Sequence, residues 1–261
     1  MAVCGINAQL LTEANTYRRA GIHVYLSEVL RHLPEDESLQ YQVFSTYPPP
    51  ENQSALLEWF ATPPFSASPV GRIAWEQLVW PFQSYRTGCD LIHGAAFALP
   101  LFGAKPAVVT IFDLSFIHHP DLFPPLRRLY LRWATATACK RADKVIAISQ
   151  SGKKDLIGLL DIEESKIRVI YPGVRPQFKR PEQHKIDAFK REKQLPDRFV
   201  LHVGTLQPRK NLVLLIDAFH QAQLDNAHLV FAGGKGWFYD KIFEAVKAKG
   251  DRKSTRLNSS H

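Results

Sequence analysis

The chain has 261 residues, of which 45% are hydrophobic and 22% charged, so its composition is that of a globular protein and excludes a disordered or fibrous one. Its formal net charge of +8 favours anionic partners, namely phosphates, nucleic acids or an anionic membrane surface. The basic residues are dispersed and show no nucleic-acid-binding motif, which argues against a nucleic-acid partner. No apolar stretch reaches the roughly 18 residues of a membrane span. The first residues lack a basic n-region, so no signal peptide is expected.

The cysteine pattern and the length bound the protein further. Cys4, Cys89 and Cys139 show neither CxxC spacing nor a metal-site pattern, and their odd number argues against a disulfide framework. We therefore expect a reducing, cytoplasmic environment, with association at the inner membrane surface left open. The length predicts two domains, or one domain and part of another.

Short apolar runs alternate with amphipathic segments along the first part of the chain, which predicts a doubly wound α/β fold. Ala2–Ile6 is the first predicted strand, and a polar loop from Asn7 to Ala20 precedes Gly21, where a helix begins. Such loops border ligand sites in open α/β sheets, although Gly21 fits simple helix entry equally well. Further strands are predicted at Tyr41–Ser45, Asp90–His93, Ala107–Phe112, Lys144–Ile148 and Ile167–Ile170, and helices at Leu126–Arg141 and from Ser149 to Leu160.

Three segments between these elements are less regular. The proline-rich segment Tyr47–Ser68 predicts a loop with a short helix around Leu56–Phe60. Trp75–Pro81 predicts a helical turn that ends at the proline, with both tryptophans in the core. Leu114–Pro125 predicts a loop.

Polar side chains at strand ends are candidates for a ligand site. His93 and Asp113 each follow a predicted strand, and Ser149 follows another, where it can cap the next helix. A lone histidine is usually a hydrogen-bonded structural residue, so this alternative stays open for His93.

The stretch Phe199–Asn211, FVLHVGTLQPRKN, predicts a strand buried in a parallel sheet, a turn at Gly204 and then a helix. Arg209 and Lys210 lie where that helix begins. A helix N-terminus attracts anions, and the two cations make a diphosphate clamp plausible. The alternative is that both side chains are merely solvated.

The remaining segments suggest a second domain. Arg175–Pro196 predicts an interdomain linker and a helix around Ile186–Lys193. A strand at Leu229–Ala232 ends at Gly233 and Gly234, which allow a ligand to approach the backbone closely. A helix from about Trp237 to Lys249 follows. The last segment, residues 251–261, has one apolar residue and predicts a non-native tail, so the chain is expected to be truncated.

Taken together, the ordered motifs of residues 1–250 resemble those of a GT-B glycosyltransferase of family 4, also called glycosyl transferases group 1. The most specific are the PRKN element and the GGKGW loop. The motifs are GINAQLL (5–11), GIHVY (21–25), WEQLVWP (75–81), DLIHG (90–94), VTIFDLSFIHHPDLF (109–123), ADKVIAIS (142–149), IRVIYPGV (167–174), GTLQPRKN (204–211) and LVFAGGKGW (229–237).

This resemblance implies two facing Rossmann-like domains, an acceptor-side domain at 1–176 and a partial nucleotide-sugar-binding domain at 177–250. It implies retention of anomeric configuration without a metal or cofactor. The implied catalytic residues are Arg209, Lys210 and Asp113. The implied donor-binding residues are Gly21, Gly204, Arg209, Lys210, Gly233 and Gly234, and the implied acceptor-side residues are His93, Asp113 and Ser149.

Two positions depart from the family pattern. Phe112 stands where many relatives have a histidine, so an imidazole role there is excluded. The family's E-x7-E pair is absent, because Glu244 is the sole glutamate after Glu192. We therefore expect an active parent protein and an inactive fragment.

The resemblance implies a hexosyltransferase that uses a GDP- or UDP-linked sugar, with mannose favoured, and a glycan or lipid-linked acceptor. The alternative is a non-catalytic GT-B domain that binds a partner or an anionic glycan. Nucleotide binding that depends on Arg209 and Lys210 would separate the two hypotheses.

Overall fold

The computed structural model describes residues 1–11, 21–49, 56–103, 105–236 and 238–249, together with the backbone of 254–257. Most of the predicted Asn7–Ala20 loop, Trp237 and the rest of the predicted tail therefore lie outside the described residues. The described chain forms two compact units; the first ends at Gly173 and the second begins at Val174.

The first unit is built on a seven-stranded parallel sheet with strand order β3-β2-β1-β4-β5-β6-β7. The order reverses between β1 and β4, so the carboxyl ends of these two strands flank the crevice in which open α/β sheets bind ligands. This confirms the predicted doubly wound fold. The strands are β1 (Ala2–Asn7), β2 (Leu39–Ser45), β3 (Leu57–Ala61), β4 (Leu91–Gly94), β5 (Ala107–Ile111), β6 (Lys144–Ala147) and β7 (Ile167–Val169).

Helices connect these strands and bury the apolar faces of the sheet. Around β4 to β7, the core includes Trp75, Val109, Val145 and Leu156, all of which are fully buried. The helices of the first unit are α1 (Ile22–Arg31), α2 (Pro69–Ala74), α3 (Trp80–Arg86), α4 (Ser115–His118), α5 (Pro125–Arg141) and α6 (Gln150–Leu160).

Three local predictions in this unit are wrong. The short helix expected around Leu56–Phe60 is strand β3, because this segment pairs in parallel with β2 and buries Leu57. Trp75–Val79 forms a π-helical turn that continues into α3. Pro81 does not end the helix, because it lies just after the π-helical turn, where the backbone hydrogen bonding is already irregular. The loop expected at Leu114–Pro125 contains α4.

The second unit contains a three-stranded parallel sheet with strand order β10-β9-β8. Its third strand forms within the segment predicted to be a non-native tail, where the backbone of 254–257 pairs with β9. The elements are α7 (Gln183–Glu192), β8 (Arg198–Val203), α8 (Leu212–Gln221), β9 (Ala227–Ala232), α9 (Asp240–Ala248) and β10 (Ser254–Leu257).

Strand β8 forms as predicted, but the prediction that it is buried is wrong. Val200, Leu201 and Val203 are all exposed, with Val203 at 72%. The physical reason is position, since β8 is an edge strand of this sheet and β9 carries the buried residues, among them Leu229 and Val230. An apolar run signals strand propensity, whereas burial depends on which neighbours cover the strand.

Candidate functional site

In the first unit, the predicted site residues lie at the carboxyl edge of the sheet. Gly21 precedes α1 with a φ of 60°, a backbone conformation that glycine adopts without strain. A Cβ atom at this position would meet no heavy atom within 4 Å, so the backbone angle, not crowding, favours glycine. At the neighbouring strand ends, Asn7 in β1 is paired with Gly94 in β4.

His93 lies on β4 as a partly buried residue, and its Nε2 is 2.9 Å from the hydroxyl of Thr110 on β5. Burial lowers the pKa of His93 to about 4, because desolvation disfavours the charged imidazolium. The imidazole is therefore neutral at physiological pH. In that state it can serve as a hydrogen-bonding group but does not carry positive charge.

The depressed pKa of His93 makes stability depend on pH. Between pH 6.5 and about 4 the unfolded chain binds this proton and the folded chain does not, so the free energy of unfolding should fall as the pH falls. The loss should reach up to roughly 3 kcal/mol at the lower limit. Urea titrations of the wild type and the His93→Gln variant from pH 7 to about 4 should show a shallower pH dependence in the variant.

His119→Gln is the matched control, because His119 is exposed. It should retain the wild-type pH dependence of the urea midpoint. Equal pH dependence in the wild type and His93→Gln would show that His93 is not held neutral by burial.

Asp113 and Ser149 both act as local backbone caps in the structure. The Asp113 carboxylate accepts hydrogen bonds from the backbone N–H of Ser115 at 2.9 Å and from its hydroxyl at 2.6 Å. Ser149 accepts one from the backbone N–H of Gly152 at 3.0 Å, which confirms the predicted cap of α6. Asp113 is exposed and Ser149 partly exposed, so capping leaves both near solvent at strand ends.

Sequence reasoning missed a buried carboxylate at this edge. Glu76 is 5% exposed, accepts a hydrogen bond from Asn7 Nδ2 at 3.1 Å and lies 3.8 Å from Arg72 Nε. Burial raises its pKa, and the charge of Arg72 acts in the opposite sense. Its signal in the sequence is a lone acid between Trp75 and Trp80, and its location in a π-helical turn is a frequent mark of functional sites.

A network of hydrogen bonds extends from this carboxylate into the segment after β1. The backbone N–H of Gln9 donates to Asn7 Oδ1 at 3.1 Å, and the side chain of Gln9 donates to Thr62 at 2.6 Å. Thr46 donates to Gln9 at 2.7 Å. Because these groups are largely buried and paired, they fix the start of the segment that leads to Gly21.

In the second unit, two loops continue side by side beyond the ends of β8 and β9. Gly204 donates its N–H to Ala232 O, and Leu206 donates to Gly234 O, each at 2.9 Å. A Cβ atom on Gly233 would lie 2.0 Å from the carbonyl oxygen of Gly204. Only glycine allows this close approach of the two backbones, so the local sequence determines the shape of the strand ends.

Arg209 and Lys210 directly follow this pair of loops. They occupy a 3-10 turn, Pro208–Lys210, and α8 begins at Leu212 after Asn211, which has a left-handed backbone. Both side chains are exposed. The structure therefore places two adjacent cations between the end of a parallel strand and the start of a helix, as predicted.

The positive charge of Lys210 affects a histidine on strand β8. The pKa of His202 on β8 is lowered, first by desolvation and second by the positive charge of Lys210. His202 Nε2 is buried without a hydrogen-bond partner, and it lies 3.4 Å from the position of a Cβ on Gly204. Arg209 and Lys210 together place two positive charges at this strand end, which favours an anion.

Within the described ranges, no group of three His, Cys, Asp or Glu side chains could hold a metal ion. In the same part of the chain, every helix is too short or too polar to cross a bilayer. Cys4, Cys89 and Cys139 are buried free thiols.

Comparison with known proteins identifies two family models along the chain. The model Glycosyltransferase Family 4 matches residues 19–178, and the model Glycosyl transferases group 1 matches residues 183–256. The O-antigen chain mannosyltransferase B of Escherichia coli is 22% identical over 200 residues, which cover 75% of this chain and 52% of that protein. The chain therefore spans about half the length of this curated relative.

Solved structures share the fold at low sequence identity. Sucrose-phosphate synthase from Thermosynechococcus elongatus has a TM-score of 0.74 and 17% identity, with 99% of this chain and 70% of that chain covered. The Anabaena protein HepE in complex with UDP and glucose has a TM-score of 0.66 and 18% identity, with 99% and 69% covered. These similarities confirm the predicted GT-B fold. Because the first family model spans more than half of the sequence, the chain belongs to glycosyltransferase family 4.

Proposed function

We propose that the protein to which this chain belongs transfers a hexose from a nucleotide-diphosphate sugar to a glycan or lipid-linked acceptor, with retention of configuration. The observation that carries the proposal is the pair of cations, Arg209 and Lys210, at the glycine-defined ends of β8 and β9. Family membership supports the transferase activity. The similarity to the Escherichia coli mannosyltransferase supports mannose as the sugar.

The chemistry of these residues suits a departing diphosphate. Cleavage of the sugar–phosphate bond leaves negative charge on the nucleoside diphosphate, and cations placed there stabilise the transition state more than the ground state. Arg209 offers a planar fork for two phosphate oxygens and Lys210 a point charge. Gly233 and Gly234 would leave room for the nucleotide beside the backbone.

The acceptor side is proposed to use residues of the first unit. His93 is neutral and can orient an acceptor hydroxyl by hydrogen bonding, whereas Asp113 supplies an exposed carboxylate. Ser149 can donate its hydroxyl hydrogen to an acceptor oxygen while it accepts the bond from Gly152. A cytoplasmic location, where nucleotide sugars would be available, is part of this proposal.

The base of the donor nucleotide is either uracil or guanine in this proposal. HepE was solved in complex with UDP, which favours a uridine nucleotide, whereas mannose as the sugar favours guanosine. Titration calorimetry of this chain with UDP and with GDP tests both. Arg209→Ala and Lys210→Ala should each weaken binding at least about tenfold, because each removes a charge-assisted contact to phosphate.

The matched control removes the same number of positive charges at positions outside the proposed site. Lys241→Ala with Lys247→Ala removes two exposed cations of α9 and should leave the affinity unchanged. Binding that survives in the Arg209→Ala/Lys210→Ala variant would refute the diphosphate clamp.

If the chain does not bind either nucleotide, a longer protein is tested next, because the chain spans about half the length of its curated relative. The titration is then repeated with a longer protein that includes the E-x7-E pair. Binding there would support the proposal and the inactive-fragment hypothesis together. Continued absence of binding would refute the transferase proposal and favour a non-catalytic domain.

A further inference from the structure

A cleft of about 340 Å³ lies at the amino edge of the sheet in the first unit. It is lined by Ile92, near the start of β4, and by Pro106, directly before β5. Arg141, the last residue of α5, lines it where the chain turns toward the start of β6. The strands of this sheet are parallel, so the cleft and the candidate site residues at the carboxyl ends lie at opposite edges of the sheet.

The walls of this cleft are mainly apolar. Two of the lining side chains, Tyr85 and Phe102, are exposed, so apolar ring area meets solvent beside a concave surface. Clefts of this size and composition are typical of small-molecule sites, in which a few polar groups orient the ligand. The apolar lining residues are Pro81, Tyr85, Ile92, Pro100, Phe102 and Pro106.

Arg141 supplies a polar group that is only partly satisfied. Its Nη2 donates to the carbonyl oxygen of Gly103 at 3.0 Å and to that of Lys105 at 3.4 Å. Its Nη1 is buried and has no hydrogen-bond partner within the described ranges. A buried donor without a partner costs free energy, which a suitable acceptor would recover. The guanidinium is therefore anchored through one nitrogen and open to an acceptor at another.

The charges that line the cleft are positive. Lys105 Nζ donates to the carbonyl oxygen of Cys89 and lies 5.6 Å from the ring centroid of Tyr85, which holds a second cation at the wall. Burial lowers the pKa of Arg141, and the charge of Asp143 acts in the opposite sense. The Asp143 carboxylate is itself bonded at 2.8 Å to the backbone N–H at the start of β5. None of the described residues that line the cleft is acidic.

We propose that this cleft binds a small aromatic carboxylate. The flat ring lies against Pro100 and Phe102, and the carboxylate accepts hydrogen bonds from Arg141, whose guanidinium rotates so that Nη1 meets the ligand. Lys105 adds a second positive charge. A phosphate group fits less well, because a dianion needs more donors than one unpaired nitrogen and the apolar walls would leave its oxygens unpaired. The inference goes beyond the proposed reaction and does not depend on it, since this binding requires neither donor nor acceptor.

A titration of the isotope-labelled chain with cinnamate, followed by NMR, tests the inference. We expect saturable shifts with a dissociation constant of about 5 mM or lower, which a ligand of this size can reach. The amides of Ser84, Gly103 and Lys105 should shift, whereas those of Asn7 and Gly94 at the carboxyl edge should not. Cinnamamide, a neutral ligand of the same shape, should bind at least about fivefold more weakly, because it lacks the charge that pairs with a guanidinium.

An arginine variant tests the recognition of charge. In Arg141→Gln the preference for cinnamate over cinnamamide should fall below about twofold, because the group that pairs with the carboxylate is gone. Arg127→Gln is the matched control, since Arg127 is an exposed cation of the same helix and does not line the cleft. It should keep the wild-type preference.

A second variant keeps the test sharp if the loss of Arg141 disturbs the loop that it anchors. Phe102 is an exposed wall residue, so Phe102→Ala should leave the circular dichroism spectrum unchanged. It should weaken cinnamate binding at least about threefold, because the ring loses an apolar contact. Phe82→Ala is its matched control, since Phe82 is an exposed aromatic residue that does not line the cleft, and it should leave the affinity unchanged.

Three results would overturn the inference. The first is the absence of saturable cinnamate binding by the wild-type chain. The second is binding that Phe102→Ala leaves intact. The third is displacement of cinnamate by UDP, with shifts at Arg209 and Lys210, which would show that the carboxylate occupies the proposed donor site and not this cleft.

Discussion

Replacing Gly233 with alanine should disrupt the paired strand ends of the second unit and destabilise it by at least about 3 kcal/mol. The new Cβ would lie 2.0 Å from the carbonyl oxygen and 2.6 Å from the carbonyl carbon of Gly204. Because both atoms are backbone, no rotamer change relieves the overlap. The φ of 154° adds strain that alanine does not tolerate. The two loops must therefore separate or the strands must shift.

Hydrogen exchange followed by mass spectrometry measures this effect locally. Amides of β8 and β9 should lose protection in Gly233→Ala, while those of β5 and β6 in the first unit should keep it. Gly234→Ala is the control, because a Cβ at Gly234 meets no heavy atom within 4 Å. It should change stability by less than about 0.5 kcal/mol. Equal protection in the two variants would refute the close approach of Gly204 and Gly233.

The same pair of variants bears on the proposed donor site. If the strand ends hold a nucleoside diphosphate, Gly233→Ala should abolish the calorimetric signal, whereas Gly234→Ala should weaken it less because the backbone path is retained. Undiminished nucleotide binding by Gly233→Ala would show that the donor does not bind at this strand end.

Trp75→Ala should destabilise the first unit by about 3–5 kcal/mol, the range for truncating a buried aromatic side chain. Trp75 is fully buried in the π-helical turn before α3. Its ring stacks on Trp80 with centroids 5.8 Å apart and lies 6.4 Å from the ring of Phe44. Alanine leaves a cavity among these rings, and a close-packed interior collapses only in part around such a cavity.

Urea unfolding followed by far-ultraviolet circular dichroism measures this loss without relying on tryptophan fluorescence. Phe82→Ala is the matched control, because Phe82 is an exposed aromatic residue of α3. It should cost less than about 1 kcal/mol. Similar midpoints for the two variants would show that the aromatic cluster contributes little to the stability of the unit.

Trp75→Ala should also affect Glu76, which follows it in the π-helical turn. The carboxylate is held against Asn7, and a cavity beside it gives the side chain room to move or to take up water. Part of the measured destabilisation would then come from a buried charge that is less well paired.

The predicted strands and helices that succeeded are those with strong local signals. Ala107–Ile111 is a β-branched run and Gln150–Leu160 follows a serine cap, so the structure of each is set by its own residues. The helix predicted around Leu56–Phe60 was wrong because these residues carry no strong local pattern. Pairing of Leu57–Ala61 with β2 determines their conformation. Contact with the sheet likewise determines which face α5 buries, where the buried side chains are the small ones of Thr135, Ala138 and Cys139.

The candidate site divides in the same way. The glycine and cation pattern from Gly204 to Lys210 is contiguous, so its place at a strand end could be predicted from sequence. The pairing of Glu76 with Asn7 could not be predicted, because 69 residues separate the two positions and neither local sequence indicates its partner. The roles of Arg209, Lys210 and Asp113 remain predictions until nucleotide binding is measured.

The alternation of strands and helices, the glycines at tight backbone positions and the family of the chain could all be inferred from the amino-acid sequence. These properties depend on local conformational preference and on contiguous motifs. That β8 is exposed and that Glu76 is buried against β1 became known from the tertiary structure alone. The burial of a residue and its hydrogen-bond partners depend on which segments pack together in space. The local sequence around a residue does not indicate which distant segments will pack against it.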